Sequence, residues 1–433
     1  MSNPPLPRFG ATEVPVPPRP DDAGPRITWT GASGTRVWDD AGRQYLDLTA
    51  GAGAATVGHC HPKVVEAVRR QAGELIHTGR HWGNRQRVDL VGRLRGLLPG
   101  GLDAVFLAVT GTEAVEVADR LARLHTGRRT VLSFQGGYHG KTAGALRLST
   151  QRDARHGVLD RTAADLRLYY PNANHCPLGG RHPDGCDLSC LDLNEGILRH
   201  PDFDRADVAA IIVEPVQGVA GMVAPPAGFL PRLRSLCDEI GALLVVDEIY
   251  TGFGRTGRTF AVEHSAVTPD IMVMGKALGG GLPISAVAAR PAIADSMEPV
   301  AYGGTFAGNP LSCAAGLAVL DILDEEKLAA NAGLRGAFLA ERLTDLAGRS
   351  PGRIAVSGLG LMLGLEIDPA DPESGREPCR RIARAALERG VLVFTGGTYR
   401  NCLKLTPPLV LDEEDCERAV TVLTAAVDEV LGA

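Results

Sequence analysis

One lysine stands between an apolar run and three glycines in DIMVMGKALGGGLP, residues 270–283. Of the 45 basic side chains, only Lys63, Lys141, Lys276, Lys327 and Lys404 are lysine. Arginine stays protonated and presents a rigid fork, whereas a lysine amine can lose its proton and attack a carbonyl. Lys276 ends an apolar run, beside glycines that let a ligand approach the backbone, and so has the setting of a lysine that forms a Schiff base with an aldehyde.

An electron-sink ring cofactor would need three partners beside such a lysine: a carboxylate for its ring nitrogen, a phosphate cradle, and groups on the ring faces. Asp247 closes the run LLVVD and can supply the carboxylate; its plain alternative is a strand-terminal cap. VTGTEAVE reads as a strand, small residues and a helix N-terminus, whose free amides and dipole suit phosphate. Its plain alternative is an ordinary Thr112/Glu113 helix start.

These residues need elements to place them. From about residue 100, short apolar runs alternate with helical spacing: AVFLAV, TVLSF, VAAIIVEP, ALLVVDE, DIMVMGK and ISAVAAR. Near-continuous apolar strands separated by amphipathic helices indicate an α/β chain whose mainly parallel sheet is covered on both faces. In such sheets ligands sit beyond the carboxyl ends of the strands, where Thr110 to Thr112, Glu214, Asp247 and Lys276 fall. Upstream, RVWDDAGRQYLDLTAG reads as a hairpin, and PKVVEAVRRQAGELIH has helical spacing at Val64, Val65, Val68 and Leu75. Downstream, two helices over GNPLSCAAG to TDLAG lead to a smaller C-terminal domain holding GLMLGLEID, PCRRIARAALERG, VLVFTGG, LKLTPPL and a last helix. The expected organisation is a proline-rich arm over 1–25, an N-terminal segment packing with the small domain over 26–75, a large domain over 76–320 and a small domain over 321–433.

Composition excludes several classes. Net charge is −6 without a basic tract, which gives nucleic acid no support as a partner. No apolar stretch approaches the roughly 18 residues needed to cross a bilayer. The first residues lack a signal core, so the cytoplasm is the expected compartment. Nine irregularly spaced cysteines argue against a disulfide scaffold. In NHCPLGGRHPDGCDLSC, the Cys186/Cys190 spacing could suit zinc, but a regular partner pair is missing, so reduced thiols near Cys176 are favoured and no metal is expected. GHCHP (His59, Cys60, His61) reads as a turn before a helix starting at Pro62. QGGYHGKT and GLGLMLG miss the spacing of phosphate-loop and dinucleotide motifs, and G-x-S-x-G is absent.

VVDEIYTGFGRTG followed by DIMVMGKALGGGLP resembles the class III pyridoxal-phosphate aminotransferases, the family of ornithine, acetylornithine and 4-aminobutyrate transaminases. GHCHPKVVEAV, GTEAVE, GGYHGKT, IIVEPVQGVAG, GGTFAGNP and LKLTPPL follow in family order, so the resemblance covers roughly residues 30–412. It implies a fold-type I transferase with a seven-stranded large-domain sheet and pyridoxal phosphate as cofactor. It implies that Lys276 forms the Schiff base and moves the proton, that Asp247 pairs with the ring nitrogen, and that Ile249 and Tyr138 cover the two ring faces. His139, Gly111, Thr112, Glu214 and Tyr250 are implied around the cofactor. Thr305 is implied to reach the phosphate of a neighbouring subunit in a homodimer. The partners implied are an amine donor and a carbonyl acceptor.

The sequence also departs from the family pattern. Tyr250 stands where 4-aminobutyrate-type members carry glutamine; its hydroxyl could replace that contact, or its ring could shape the pocket. Lys141 and Lys404 stand where many members carry carboxylate-gripping arginines, the second often paired with the glutamate matching Glu214. TAGAGAATVGH places Ala52 and Ala54 where aliphatic pocket residues are usual, and TGRHWGN puts Arg80, His81 and Trp82 near the expected substrate entrance. These departures turn the expectation toward a bulky amine or an aminoglycoside-type amino sugar. The alternatives are a 4-aminobutyrate/ornithine-type omega-transaminase, a racemase or aminomutase on the same scaffold, and a non-catalytic binding protein.

Overall fold

The protein is described from a computed structural model covering residues 27–79, 81–150, 166–179, 182, 185–298 and 303–432. The 1–25 arm and Arg80 lie outside the described residues. Beginning at the N-terminus, strands β1 (Trp29–Ser33), β2 (Arg36–Asp39) and β3 (Gln44–Asp47) form an antiparallel meander. The helix Pro62–Glu74 follows, with Pro62 in its first turn. It stops before Leu75, short of the periodicity in the sequence, because the chain turns extended there and Gln71 Nε2 donates to the Leu75 carbonyl at 2.8 Å.

The apolar runs become a seven-stranded sheet of β4 (Ala104–Ala108), β5 (Thr130–Phe134), β6 (Arg167–Leu168), β7 (Val208–Val213), β8 (Leu243–Asp247), β9 (Ile271–Met274) and β10 (Ser285–Ala289), in the order β4-β10-β9-β8-β7-β5-β6. Only β10 runs against its neighbours. The register sets Val213 beside Val246 and Asp247 beside Val273, which brings the functional strand ends level with one another. All six residues of β7 are buried. Ile211 and Val213 face one apolar cluster with the helix Phe229–Ile240, while Ile212 faces another with the helix Gly111–Thr126. This two-sided cover explains why the strands read as continuous apolar runs rather than alternating ones.

A second sheet of β11 (Ile354–Leu359), β12 (Met362–Ile367), β14 (Phe394–Gly396) and β15 (Cys402–Leu405) is wholly antiparallel, in the order β11-β12-β15-β14. Helices Leu328–Arg349, Arg376–Glu388 and Glu413–Leu431 supply much of its core. The run VLVFTGG is divided: β13 (Val391–Leu392) pairs in parallel with β3, while β14 pairs with β15. Leu46, Leu48, Val57 and Val64 bury into the same cluster as these C-terminal helices, so the N-terminal strands pack with the far end of the chain.

Ile212 fills the interface between the sheet and the helix Gly111–Thr126. Ile212→Ala is expected to destabilise the chain by about 2–5 kcal/mol, the range for truncating a buried aliphatic. Denaturant unfolding checks this; a loss below ~1 kcal/mol would show that the helix collapses onto the gap.

Candidate active site

Beyond the carboxyl ends of β4, β5, β7, β8 and β9 lies a cavity of about 440 Å³, within the range of small-molecule sites. Asp247, Ile249, Tyr250 and Lys276 line it from the loops after β8 and β9, Glu214 from that after β7. Gly111 and Thr112 line it from the helix after β4, and Tyr138, His139 and Lys141 from the loop after β5.

Asp247 is almost wholly buried and braced on both oxygens. One accepts the Ile249 amide at 3.0 Å and the other lies 2.7 Å from His139 Nδ1. A buried carboxylate held this way points its charge in one direction, which suits a ring nitrogen that must keep its proton.

Lys276 follows β9 with φ +39°, a left-handed backbone that a residue with a side chain adopts only at a cost of about 1–3 kcal/mol. Such strain is held by the surrounding fold and is characteristic of functional positions. Burial pushes the Lys276 ammonium down to about 8; Asp247 and Glu214 oppose this, while Lys404 and Arg255 add to it. The amine is therefore substantially neutral near pH 8, the state needed for attack on a carbonyl. Its Nζ lies 3.9 Å from the centroid of the Tyr250 ring.

Glu214 is buried, with its oxygens accepting the Tyr138 amide at 2.9 Å and the Gly218 amide at 3.1 Å. Burial is the largest influence on its carboxyl and pushes it up to about 7, with Asp247 adding and His139 and both amides opposing. Burial also raises the Tyr138 and Tyr250 hydroxyls.

At the opposite end, Thr110 caps the helix Gly111–Thr126 by accepting the Glu113 amide, and Thr112 Oγ1 lies 2.6 Å from Thr142 Oγ1. A methyl on Gly140 would fall 2.3 Å from Thr112 Oγ1, so the glycine keeps the space around that hydroxyl open. A long helix N-terminus, two hydroxyls and a kept-open cradle fit a phosphate. Together with the braced carboxylate and the lysine, the donor set fits pyridoxal phosphate.

Other expected residues fall elsewhere. Ala52 and Trp82 are exposed, Trp82 by 74%, and neither lines the cavity. Thr305 is exposed beside Phe306. Lys404 is half-buried on β15, where its charge acts on Lys276. Thr142 and Val219 also line the cavity but were not singled out from sequence; the Thr142 hydroxyl directly follows the GK of GGYHGKT, which was the available signal. His59 lies 2.7 Å from Asp47 and His61 3.0 Å from Glu326, and among the described residues no group of His, Cys, Asp or Glu is arranged to hold a metal.

The family model for aminotransferase class III matches residues 19–427. The chain belongs to the class III aminotransferase family. It is a pyridoxal-phosphate-dependent transaminase with the fold-type I architecture, and acts on an amine donor and a carbonyl acceptor. It is 40% identical to an acetylornithine aminotransferase of Methanopyrus kandleri over 93% of this chain and 94% of that one. It is 36% identical to the 5-aminovalerate aminotransferase DavT of Pseudomonas aeruginosa over 92% of each. A solved PLP-bound amine transaminase from an uncultivated Pseudomonas species superposes with a TM-score of 0.85 at 32% identity, covering 93% of this chain and 95% of that one. No helix among the described residues is long and apolar enough to cross a membrane.

The aminotransferase should carry the signature of Glu214 in its stability. Its carboxyl ordinarily titrates near 4.5 and in the fold near 7, so between these values the folded chain keeps a proton that the unfolded chain has lost. The stability this contributes is fully present below pH 4.5 and disappears as pH rises through 7. In the cofactor-free chain, Glu214→Gln is expected to flatten the fall of Tm between about pH 5 and 8. Parallel Tm profiles for the two proteins would mean that Glu214 is ionised throughout.

Proposed function

We propose that this aminotransferase moves an amino group from a donor such as glutamate to a carbonyl acceptor that becomes a primary amine bulkier than 4-aminobutyrate. An amino sugar of the aminoglycoside type is the narrowest form of the reading. The observation that carries it is the charge of the cavity wall: among its described lining residues the cations are Lys141 and Lys276, and none is an arginine. Lys404 stands at the second position where arginine was expected. A point-charge ammonium grips a carboxylate without the bidentate geometry of a guanidinium, so a substrate with two carboxylates gains less here. A second reading, an omega-amino acid such as 5-aminovalerate, is favoured by the name of one relative and by exposed Lys141, which offers one carboxylate a charge.

Pyridoxal phosphate, when bound, supplies the electron sink that lets a carbon–hydrogen bond beside nitrogen release its proton. The residues then divide the work. Lys276 would hold the cofactor, and its amine, when free, would take up and return the transferred proton. Asp247, braced by His139 and the Ile249 amide, would keep the ring nitrogen protonated. Tyr138 and Ile249 would cover the faces of its ring, and Thr112 with the helix N-terminus would hold its phosphate. Glu214 fixes the Tyr138 backbone and would face the substrate.

The working unit in this reading is a homodimer in the cytoplasm, with Thr305 reaching the neighbouring copy's phosphate. Exposed Ile76, Trp82 and Phe306 support it: Asn309 donates to the Ile76 carbonyl at 3.0 Å, and the His77 and Phe306 rings lie 5.3 Å apart. Arg87 joins the Gly79 and Ala307 carbonyls at 3.0 and 3.1 Å. These bonds assemble one apolar surface from two segments, the kind that a partner covers.

Absorption of the loaded enzyme, before and after adding glutamate without an acceptor, tests the reaction. Glutamate should replace the band of the lysine-bound cofactor with that of its aminated form. Persistence of the first band would redirect the search to other amines or to racemase or aminomutase chemistry. Lys276→Ala should abolish the lysine-bound band, and retention of that band would remove Lys276 from its role. Lys404→Arg should lower KM for glutamate about tenfold, the equivalent of ~1.4 kcal/mol. An unchanged KM would mean that residue 404 does not meet the donor, and efficient 5-aminovalerate turnover with no activity on amino sugars would select the second reading.

A further inference from the structure

Tyr250 is the departure from the family pattern that the cavity makes most specific. Its ring is held by both edges. A methyl on Gly53 would fall 2.4 Å from Cε2, and one on Gly218 would fall 2.3 Å from Cδ1 on the opposite edge. Any larger residue at either position would displace the ring. The hydroxyl lies 3.2 Å from Thr406 Oγ1, and that threonine is itself fixed, its amide donating to the Leu48 carbonyl at 2.8 Å. Met362 also packs near Gly218, and the Tyr250 ring abuts the small cluster of Val216, Met222 and Met362. Edges, hydroxyl and packing are all assigned, and Lys276 Nζ sits over a ring face at 3.9 Å from its centroid. An ammonium over an aromatic face is attracted to the negative charge of the π-system, most strongly where water is excluded.

We propose that Tyr250 is a positioning residue for Lys276: its clamped ring face receives the lysine as an ammonium while that amine carries the transferred proton. The proposal rests on Lys276 being the cofactor lysine. The amine takes one proton through its lone pair and returns one, so the lysine ends as it began. Between those events it is a cation in a dry pocket. Asp247 and Glu214 favour that cation, while Lys404 and Arg255 oppose it; Arg255 and Glu214 also face Tyr250. The ring adds a favourable contact without a formal charge, so the amine can still be neutral when it must attack. A glutamine at this position has no π-face to offer.

The experiment uses the cofactor-free full chain and measures the rate at which pyridoxal phosphate attaches to Lys276 as a function of pH. Borohydride trapping and peptide mass spectrometry identify the lysine. Only the neutral amine attacks, so the midpoint reports the lysine's titration. Tyr250→Phe keeps the ring and should keep the midpoint. Tyr250→Leu and Tyr250→Gln should lower it by about half to one and a half pH units. Gly218→Ala should lower it in the same direction by pushing the ring aside, and should add nothing to Tyr250→Leu. Circular dichroism checks folding; should the leucine variant not fold, the glutamine variant carries the test. An unmoved midpoint without the ring, or a phenylalanine variant shifted as far as the leucine one, would overturn the proposal. Attachment at a different lysine would overturn the assignment of Lys276 and this proposal with it, an outcome that mass spectrometry separates from the others.

Discussion

A neutral lysine inside a protein is the constraint on which the rest of this structure depends. An amine that attacks an aldehyde must give up its proton near neutral pH, and removal from water is the largest influence lowering its titration here. Burial alone would leave the amine unable to accept the proton it later needs. The cavity therefore surrounds Lys276 with opposed influences: Asp247 and Glu214 favour the cation, Lys404 and Arg255 disfavour it. The outcome near 8 is a compromise between a nucleophile and a base, the two tasks that the proposed reaction gives to this one atom.

Such a balance requires groups from five strand ends to meet within one cavity, and this is what the parallel sheet provides. Because β5, β7, β8 and β9 run the same way, their carboxyl ends open on the same side, and the register sets them level. Hydrogen bonds then tie the loops after them to one another. His139 from beyond β5 meets Asp247 from beyond β8, and Glu214 from beyond β7 holds the Tyr138 backbone. Such mutual bracing suits a site that must hold its charges within fractions of an ångström.

Much of this was legible in the sequence because it is local. An apolar run buried on both faces announces a strand, and Asp247 and Lys276 can be placed at strand ends by counting. The ordered motifs GTEAVE, GGYHGKT and GGTFAGNP carried the family. What was not legible depends on packing between distant segments. VLVFTGG opens as one continuous apolar run, yet Val391–Leu392 pairs with β3 and Phe394–Gly396 with β15 in a different sheet. Ala52 and Trp82 lie at the surface of this chain, Ala52 with a left-handed backbone at φ +66°, and their places in motifs do not report how the backbone turns them. The link between His139 and Asp247 spans 108 residues of chain, and no spacing rule reports a contact at that separation.

The same physics separates two buried cations beside the cavity, one arginine and one lysine. Arg255 is wholly buried, and among the described residues its hydrogen bonds go to neutral oxygens: one nitrogen donates to the Leu361 and Pro407 carbonyls, and the other reaches Thr56 Oγ1 at 3.5 Å. Burial lowers its titration only to about 10, so it stays charged and keeps three segments of the fold joined around the cavity. A lysine placed there would lose its proton more readily and could not span the same carbonyls with a planar fork. At position 276 the reverse holds, since a guanidinium would neither attack nor take back a proton. At 255, arginine serves where charge must be permanent and donors must be splayed. At 276 the proposed chemistry needs a charge that comes and goes, and at 141 and 404 a softer grip on the substrate is the proposed advantage of lysine.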